Sequence, residues 1–221
     1  IQALGSSAVG NAGIAPHKWF GINLYGGNGS PQSISNGNFT PDFVWSRARN
    51  STYSYNIADS VRGAGLRLLS DATNNEANNP NGGVSSFSPA LTQKYGYQID
   101  TGVEVNEAGR PYVSWQWKQS PTAGFNIVSY SANGTANRAI SHNLGVTPNF
   151  IMVKDRTTAN NWNIWMTGFT ANEYLLFTGA GKGSYNTLWY QTPTSSNFYI
   201  GSTGTAVNYA SGNNYIAYLF A

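Results

Sequence analysis

Two segments of the chain repeat one another, and this repetition limits what the chain can fold into. Residues 39–49 have the sequence FTPDFVWSRAR, and residues 146–156 have the sequence VTPNFIMVKDR. Both contain Thr-Pro, then Asp or Asn, then Phe and a hydrophobic run followed by two basic residues. A sequence unit that recurs along a chain folds as a recurring structural unit. The chain is therefore predicted to contain two copies of one module.

The repetition extends to both ends of the modules. FGINLYGGNG from residue 20 aligns with FNIVSYSANG from residue 125, and YVSWQW from residue 112 aligns with YIAYLF from residue 215. The middles, 52–92 and 159–194, align poorly, as expected when a framework is kept and its loops diverge. The predicted organisation is a linker or arm at 1–17, a first module at 18–118, a join at 119–124 and a second module at 125–221.

The spacing of the hydrophobic residues is typical of β-strands. In WFGINLY, YVSWQWK and NYIAYLFA the residues alternate with period 2 and are rich in aromatic and β-branched types, the pattern of a half-buried strand. FVW and FIMV are apolar throughout and indicate central strands. Asn28-Gly29 and Asn133-Gly134 predict tight hairpin turns, and residues 59–69 leave room for one helical turn capped by Asp59. The predicted fold is all-β, with two tandem, jelly-roll-like β-sandwich modules that arose by internal duplication.

Composition excludes several classes of protein. Charged residues make up 10% of the chain and aromatic residues 14%, so the surface is polar through amides and hydroxyls, and the aromatic content is too high for a disordered chain. No apolar run approaches the roughly 20 residues of a membrane helix, so no membrane insertion is predicted. The twelve basic residues are scattered, which argues against nucleic-acid binding. The chain has no cysteine, and disulfides and thiol chemistry are excluded.

No cofactor, metal or catalytic residue is predicted. His17 and His142 occupy non-equivalent places in the two modules, and both are expected to be solvent-exposed or to brace a loop. No spacing of His, Asp or Glu is typical of a zinc site. Asp100 and Glu104 could share one face of a strand, but one strand does not make the cleft that glycoside cleavage needs.

The chain resembles a repeat domain of tail fibres and other structural proteins of tailed bacteriophages, of the type found in phages of marine and cyanobacterial hosts. The first copy carries YGGNGS, FTPDFVWSRAR, DSVRGAG and YVSWQWK, and the second carries YSANGT, HNLGVTPNFIMVKDR, TPTSS and YIAYLFA. The resemblance covers nearly all of 18–221, and its specificity lies in the order of the motifs. Two departures are Arg47, where the family has Lys, and the lack of DSVRG in the second copy. The resemblance implies a virion part and carries no catalytic activity onto any residue.

Four aromatic residues in the divergent part of the second module are the candidates for ligand binding. Aromatic faces stack on sugar rings, and neighbouring Asn or Thr side chains bond the hydroxyls. The candidate glycan contacts are Trp162, Tyr185, Trp189 and Tyr190. The alternative is that these rings fill the core of the second module.

Two pairs of basic residues end equivalent strands. Because residues i and i+2 of a strand point the same way, each pair faces one side. The residues are Arg47, Arg49, Lys154 and Arg156. They are predicted either to be solvated or to contact a neighbouring subunit, and otherwise to bind an anionic sugar or a lipopolysaccharide phosphate.

The sequence therefore predicts a non-enzymatic virion protein, the distal part of a tail fibre that recognises a host-surface glycan through its loops. The predicted partners are other virion proteins and further copies of the chain, as a homotrimer. One alternative is a capsid decoration or head-fibre protein on the capsid surface. A second alternative is a polysaccharide depolymerase.

Overall fold

Strands dominate the computed structural model, which describes residues 15–79, 82–90, 92–179, 181–185, 188–201, 206–209 and 212–221. Within these residues the chain forms seventeen β-strands in four sheets and one α-helix of four residues. The prediction of an all-β fold is thus confirmed. Among the same residues, no helix has the length and apolar character needed to cross a membrane.

Each half of the chain contributes one large and one small sheet. In the first half the elements are β1 (Phe20–Gly26), β2 (Gln32–Ile34), β3 (Phe43–Ala48), β4 (Asn56–Asp59), β5 (Leu66–Leu69), β6 (Ala77–Asn78), β7 (Val84–Ser86), β8 (Tyr97–Ile99), α1 (Val103–Asn106) and β9 (Pro111–Trp117). In the second half they are β10 (Phe125–Ser131), β11 (Arg138–Ser141), β12 (Phe150–Asp155), β13 (Asn163–Met166), β14 (Glu173–Leu176), β15 (Lys182–Ser184), β16 (Asn197–Ile200) and β17 (Asn214–Phe220). A short 3₁₀ helix, Pro16–Lys18, precedes β1, and residues 1–14 of the predicted linker lie outside the described residues.

The two large sheets have the same strand order and register. The first runs β1-β9-β3-β4-β5-β6, and the second runs β10-β17-β12-β13-β14-β15. Tyr25 lies opposite Tyr112 with the rings stacked at 5.3 Å, and Tyr130 lies opposite Tyr215 with the rings stacked at 5.1 Å. An internal duplication would produce this agreement, although the duplication and the module boundaries stay predictions.

Each large sheet packs on a small sheet of its own half, as the layers of a β-sandwich do. In the first half, β2-β8-β7 packs on the large sheet through a core that includes Val44, Ala58 and Tyr97. In the second half, β11-β16 packs on the large sheet through a core that includes Ile151 and Phe198.

A third core lies between the two large sheets and belongs to both halves. Phe43 is fully buried there, and its ring centroid lies 4.7 Å from that of Tyr218, 5.7 Å from that of Phe125 and 5.4 Å from that of Trp117. β12 and β17 are consequently buried on both faces, which explains the continuous apolar run of FIMV. The sequence repeat predicts two sandwiches, and this core shared between them was not predicted.

The DSVRG segment forms a buried polar network that crosses between the halves. Asp59 accepts hydrogen bonds from the Arg62 backbone N–H at 2.8 Å and from the Tyr218 hydroxyl at 2.6 Å, and it is paired with the Arg62 guanidinium. Arg62 also contacts Glu76 at 3.1 Å, and Glu76 receives two hydrogen bonds from Arg156 at 2.8 and 3.0 Å. The network thus links the ion pair of Asp59 and Arg62 to the second half.

The prediction of two tight hairpin turns is wrong. Asn28-Gly29 and Asn133-Gly134 do not close hairpins, since β1 pairs with β9 and β2 pairs with β8, and the strands that flank each dipeptide lie in different sheets.

The single helical turn predicted within residues 59–69 is present: the Gly63 N–H donates to the Asp59 carbonyl at 3.1 Å, and the Asp59 carboxylate caps the turn by accepting from the Arg62 N–H at 2.8 Å. The turn does not continue into a helix, and β5 follows.

Asn106 and Asn208, at equivalent positions, hold the segments in which the chain passes from the large sheet to the small sheet. The Asn106 carboxamide accepts a hydrogen bond from Asn28 N–H at 2.9 Å and donates to the carbonyls of Ser30 and Asp100. The Asn208 carboxamide accepts from Asn133 N–H at 3.1 Å and donates to two carbonyls in the same way. In each half a buried side-chain amide, and not the ladder of a hairpin, therefore fixes the Asn-Gly segment by hydrogen bonds.

His142 braces a loop, one of the two roles expected for it. Its Nδ1 accepts a hydrogen bond from Leu144 N–H at 3.3 Å, and its Nε2 lies 3.2 Å from the Thr194 carbonyl, which fits a neutral ring with the proton on Nε2. Burial lowers the pKa of His142. His17 is exposed.

We predict that Phe43→Ala destabilises both halves together. The substitution leaves a cavity in the shared core, and such changes cost about 3–5 kcal/mol. Chemical denaturation followed by tryptophan fluorescence should show one transition, shifted to lower denaturant as a whole. Val146→Ala, at a side chain that is 52% exposed, is the control and should change the free energy of unfolding by less than about 0.5 kcal/mol. Two separate transitions would contradict the shared core.

We also predict that stability falls as the pH drops through the ordinary histidine pKa of 6.5 because of His142. Its folded-state pKa lies below the ordinary value, so the unfolded chain takes up the proton first, and stability is lost as the pH falls from the unfolded pKa toward the folded pKa. His142→Gln should flatten this part of the pH profile of the free energy of unfolding. His17→Gln, at the exposed histidine, is the matched control. An unchanged profile in His142→Gln would disprove the assignment.

Candidate functional site

The four predicted glycan contacts fall in different environments. Trp162 and Trp189 are buried, with exposures of 0% and 1%, and the Trp162 indole N–H donates to the Leu69 carbonyl at 2.8 Å. These two predictions are wrong, because rings packed in the core offer no surface to a glycan, and the alternative of core filling holds for them. Tyr185 and Tyr190 are exposed, and the two rings remain available.

Tyr185 lines a cleft in the second half whose other polar groups are amides and a second phenol. The cleft has a volume of about 300 Å³. We name it the Asn/Tyr cleft; its described lining residues are Asn160, Asn161, Asn163, Tyr174, Leu176, Tyr185, Leu188 and Ala206. Tyr190 is not among them. The size is at the lower end of the range for small-molecule sites.

Strand pairing positions the second tyrosine of the cleft. Tyr174 lies on β14 opposite Gly183 of β15, and its ring crosses the glycine so closely that a Cβ there would lie 2.6 Å from the ring. A residue with a side chain at position 183 would push the ring aside. The glycine therefore fixes where Tyr174 lies in the cleft wall.

The buried carboxylate of Asp155 holds the amide wall of the cleft. One oxygen accepts hydrogen bonds from the N–H groups of Thr157 and Thr158 at 2.8 and 2.9 Å, and the other accepts from Asn160 Nδ2 at 3.1 Å. The second oxygen also accepts from the Tyr215 hydroxyl at 3.3 Å, and burial is the main cause that raises the pKa of Tyr215 to about 12. The Tyr215 phenol thus stays protonated and donates to Asp155. The hydrogen bonds of Asp155 fix the start of the loop between β12 and β13.

Lys154 fixes the same loop from the other side and links it to the first half. Its ammonium is buried and donates to the carbonyls of Asn160 at 2.6 Å, Asp155 at 3.1 Å and Thr73 at 3.1 Å. Burial lowers the pKa of Lys154 to about 8, and the group is still mostly charged at neutral pH. The prediction that Lys154 binds an anion or a neighbouring subunit is wrong, since three carbonyls of its own chain occupy the ammonium.

The other three basic residues have mixed outcomes. Arg156 binds Glu76 of the first half, so its predicted contact to a subunit or an anion is replaced by a contact within the chain. Arg47 lies over the Tyr55 ring at 4.2 Å and donates to its hydroxyl. Arg49 is exposed and lines a shallow cavity beside Arg110, and its predicted role remains open to test.

The first half has a different surface at the position of the cleft. Asn56 occupies in β4 the position that Asn163 occupies in β13. Both residues are buried, and the two amide atoms of Asn56 have no hydrogen-bond partner. Gly83, directly before β7, lies over it, so that a Cβ on this glycine would be 3.8 Å from Asn56 Nδ2. Within the described residues, the small sheet of the second half has no counterpart of β7. The Asn/Tyr cleft is therefore open where β7 closes the first half.

Sequence reasoning found Tyr185 and missed the three asparagines and Tyr174. The run TTANNWN directly follows a strongly apolar strand, which was the available signal, since polar amides at a strand end are typical of binding loops. Tyr174 had no such signal, because its place depends on pairing with Gly183.

The described residues include no cluster of three His, Cys, Asp or Glu side chains that could hold a metal ion. Asp100 and Glu104 do not share a strand face, because Glu104 lies in α1 and is paired with Arg67. The Asn/Tyr cleft is lined, in its described part, by amide, phenol and aliphatic side chains alone. These groups can stack on a ring and exchange hydrogen bonds with hydroxyls.

A comparison with known proteins gives a family for nearly the whole chain. No curated protein and no solved structure matches the chain. A family model does match, over residues 15–221, which include both large sheets and the cleft. The chain belongs to the family described as Domain of unknown function (DUF7483).

Proposed function

We propose that the chain is a non-enzymatic virion protein, the distal segment of a bacteriophage tail fibre, that binds a host-surface glycan in the Asn/Tyr cleft. The observation that carries the proposal is the lining of this cleft, which includes three asparagines and two tyrosines. The viral setting rests on the order of motifs that resembles phage structural repeats.

The unpaired polar atoms of the cleft suit sugar hydroxyls. Asn160 uses its Nδ2 for Asp155, Asn161 uses its Oδ1 for Thr178, and Asn163 uses its Nδ2 for the Asn161 carbonyl. Asn163 is buried, whereas Asn160 and Asn161 are partly exposed. Within the described structure, the Oδ1 of Asn160 and the Nδ2 of Asn161 make no hydrogen bond to the protein and are left for a ligand. The first is an acceptor and the second a donor, and a sugar hydroxyl can both donate and accept.

The two rings supply the apolar part of the binding. Tyr185 is 54% exposed, and a tyrosine presents an apolar face with a polar tip at little cost in conformational entropy. A neutral cleft of this size holds a small part of a longer glycan. Binding at one cleft is expected to be weak, so the homotrimer that we propose would raise the overall affinity through several simultaneous contacts.

We predict that Tyr185→Ala and Asn161→Ala each weaken binding to lipopolysaccharide or capsular glycan from the host. Each loses at least about tenfold in affinity, equivalent to about 1.4 kcal/mol, because a stacking face or a hydrogen-bonding amide is removed. Glycan-array binding and calorimetry on the purified chain measure the effect. Tyr190→Ala is the matched control, since this ring is exposed outside the cleft.

The outcomes separate the alternatives. Undiminished binding in both cleft variants, with unchanged circular dichroism, would rule out the cleft. Binding to empty capsids instead of host glycan would favour a decoration protein. Release of reducing ends from host polysaccharide would favour a depolymerase.

A further inference from the structure

The edge strand β1 exposes its apolar residues and partly covers its polar ones. Phe20, Ile22 and Leu24 are 37%, 53% and 66% exposed, whereas Asn23 and Tyr25, which alternate with them, point into the first half. A strand with one covered face normally has its apolar residues on that face. The exposed row is therefore not explained by the fold of the single chain.

The exposed row continues across the sheet as an aromatic surface. Ile22 lies opposite Trp115 of β9, and Trp115 lies opposite Trp45 of β3. Beside them is an apolar groove of about 260 Å³, lined by Trp45, Tyr55, Trp115 and Trp117. We name the surface made by Phe20, Ile22, Leu24, Trp115 and Trp45 the β1 face.

The β1 face is continuous with an interface that already exists in the chain. On the same side of the same sheet, Phe43 and Trp117 pack against Phe125, and Trp117 also packs against Phe220 of the second half. The second large sheet therefore covers one part of this side and leaves the part around β1 open. The covering partner is a sheet with the same strand order as the one it covers.

The second half shows that exposure of apolar residues is not required at these positions. Ile127, which corresponds to Ile22, is 5% exposed, so it is covered in the shared core. The residue that corresponds to Leu24 is Ser129, which is exposed, and Ser131 beyond it is exposed too. In the second half, the exposed positions of the equivalent row are therefore occupied by serines. The leucine at position 24 therefore indicates a surface that is covered in the working assembly.

The outer edge of β1 is open as well as apolar. At the two ends of the β1–β9 ladder, the Trp19 carbonyl accepts from the Lys118 N–H and the Gly27 N–H donates to the Arg110 carbonyl. By the alternation of an antiparallel ladder, the N–H and C=O groups of Ile22 and Leu24 therefore point away from β9. No strand of the described structure pairs on that side. An open, apolar edge strand readily pairs with another chain unless it is covered.

We propose that a second copy of this chain covers the β1 face, so that the copies associate through Phe20, Ile22 and Leu24. The row carries no charge, so it can meet an identical row without like-charge repulsion. A second copy also brings the same kind of apolar sheet that the covered part of this side already accepts. The proposal is independent of the Asn/Tyr cleft and stands if glycan binding fails.

The test uses the full chain and its mass in solution. Wild type is expected to be an oligomer by size-exclusion chromatography with light scattering, at two or three times the 23.8 kDa of one chain. The double variant Ile22→Ser with Leu24→Ser is expected to run at 23.8 kDa with an unchanged circular dichroism spectrum. Serine is the residue that the second half has at the position equivalent to Leu24. Val146→Ser, at an exposed valine of the second half, is the control and should keep the oligomer.

A second measurement tests the proposal even if the serine variant fails to fold. The chain has no cysteine, so Ile22→Cys and Leu24→Cys each provide a single thiol, and mild oxidation of either variant or of their mixture should give covalently linked copies. Val146→Cys should stay unlinked under the same conditions. A monomeric wild type, an oligomer that survives the serine substitutions, or equal linking through position 146 would each overturn the proposal.

Discussion

The packing of the two large sheets against each other is the constraint on which the rest of the molecule depends. Phe43 and Tyr218 meet at its centre, and each comes from a strand with its own sandwich core on the opposite face. Neither half can keep its apolar rows covered alone, since Phe43, Ile57 and Leu68 of one half and Met152 and Ile164 of the other share a single cluster. Burial of that area supplies stability that two separate sandwiches of about 100 residues would lack.

The polar network beside this core makes the pairing of the halves specific. A buried Asp59 that lost Arg62 would be an uncompensated charge, and such a loss costs about 3–5 kcal/mol. Loss of Tyr218 would leave the buried carboxylate one hydrogen bond short. Burial, the main cause, raises the pKa of Tyr218 well above its ordinary range, and the hydroxyl remains a donor. Sheets that slid past each other would separate these groups, so the network fixes one relative position of the halves. The first half supplies the charges of Asp59 and Arg62 through its DSVRG segment, which explains why the second half can lack this motif.

The sequence predicted the strands with strong patterns and failed where partners lie far apart along the chain. The alternation around β1, β9 and β17 and the apolar runs of β3 and β12 located these strands. The Asn-Gly dipeptides misled, because a turn signal does not say whether the next strand stays in the same sheet. The shared core was missed for a related reason: an apolar residue such as Phe43 does not reveal which of two available surfaces will cover it. In the site, Tyr185 was found by type, whereas Trp162 and Trp189 were misassigned because an aromatic ring has the same composition signal in a core and in a binding surface.

The cleft and the inter-half packing are coupled through Lys154. Its ammonium joins the Thr73 carbonyl of the first half to the Asn160 carbonyl of the cleft, so the first half helps to set the geometry of a site it does not line. In the first half, β7 covers Asn56 and closes the position equivalent to the cleft. Within the described structure, the cleft is open only in the second half, where residues of both halves support it. The halves thus differ in what they leave exposed: the first leaves an apolar edge, and the second leaves an amide-lined cleft. On the two proposals made above, association through that edge would hold several clefts at fixed distances, and a weak single contact would become a firm attachment without any change in the cleft itself.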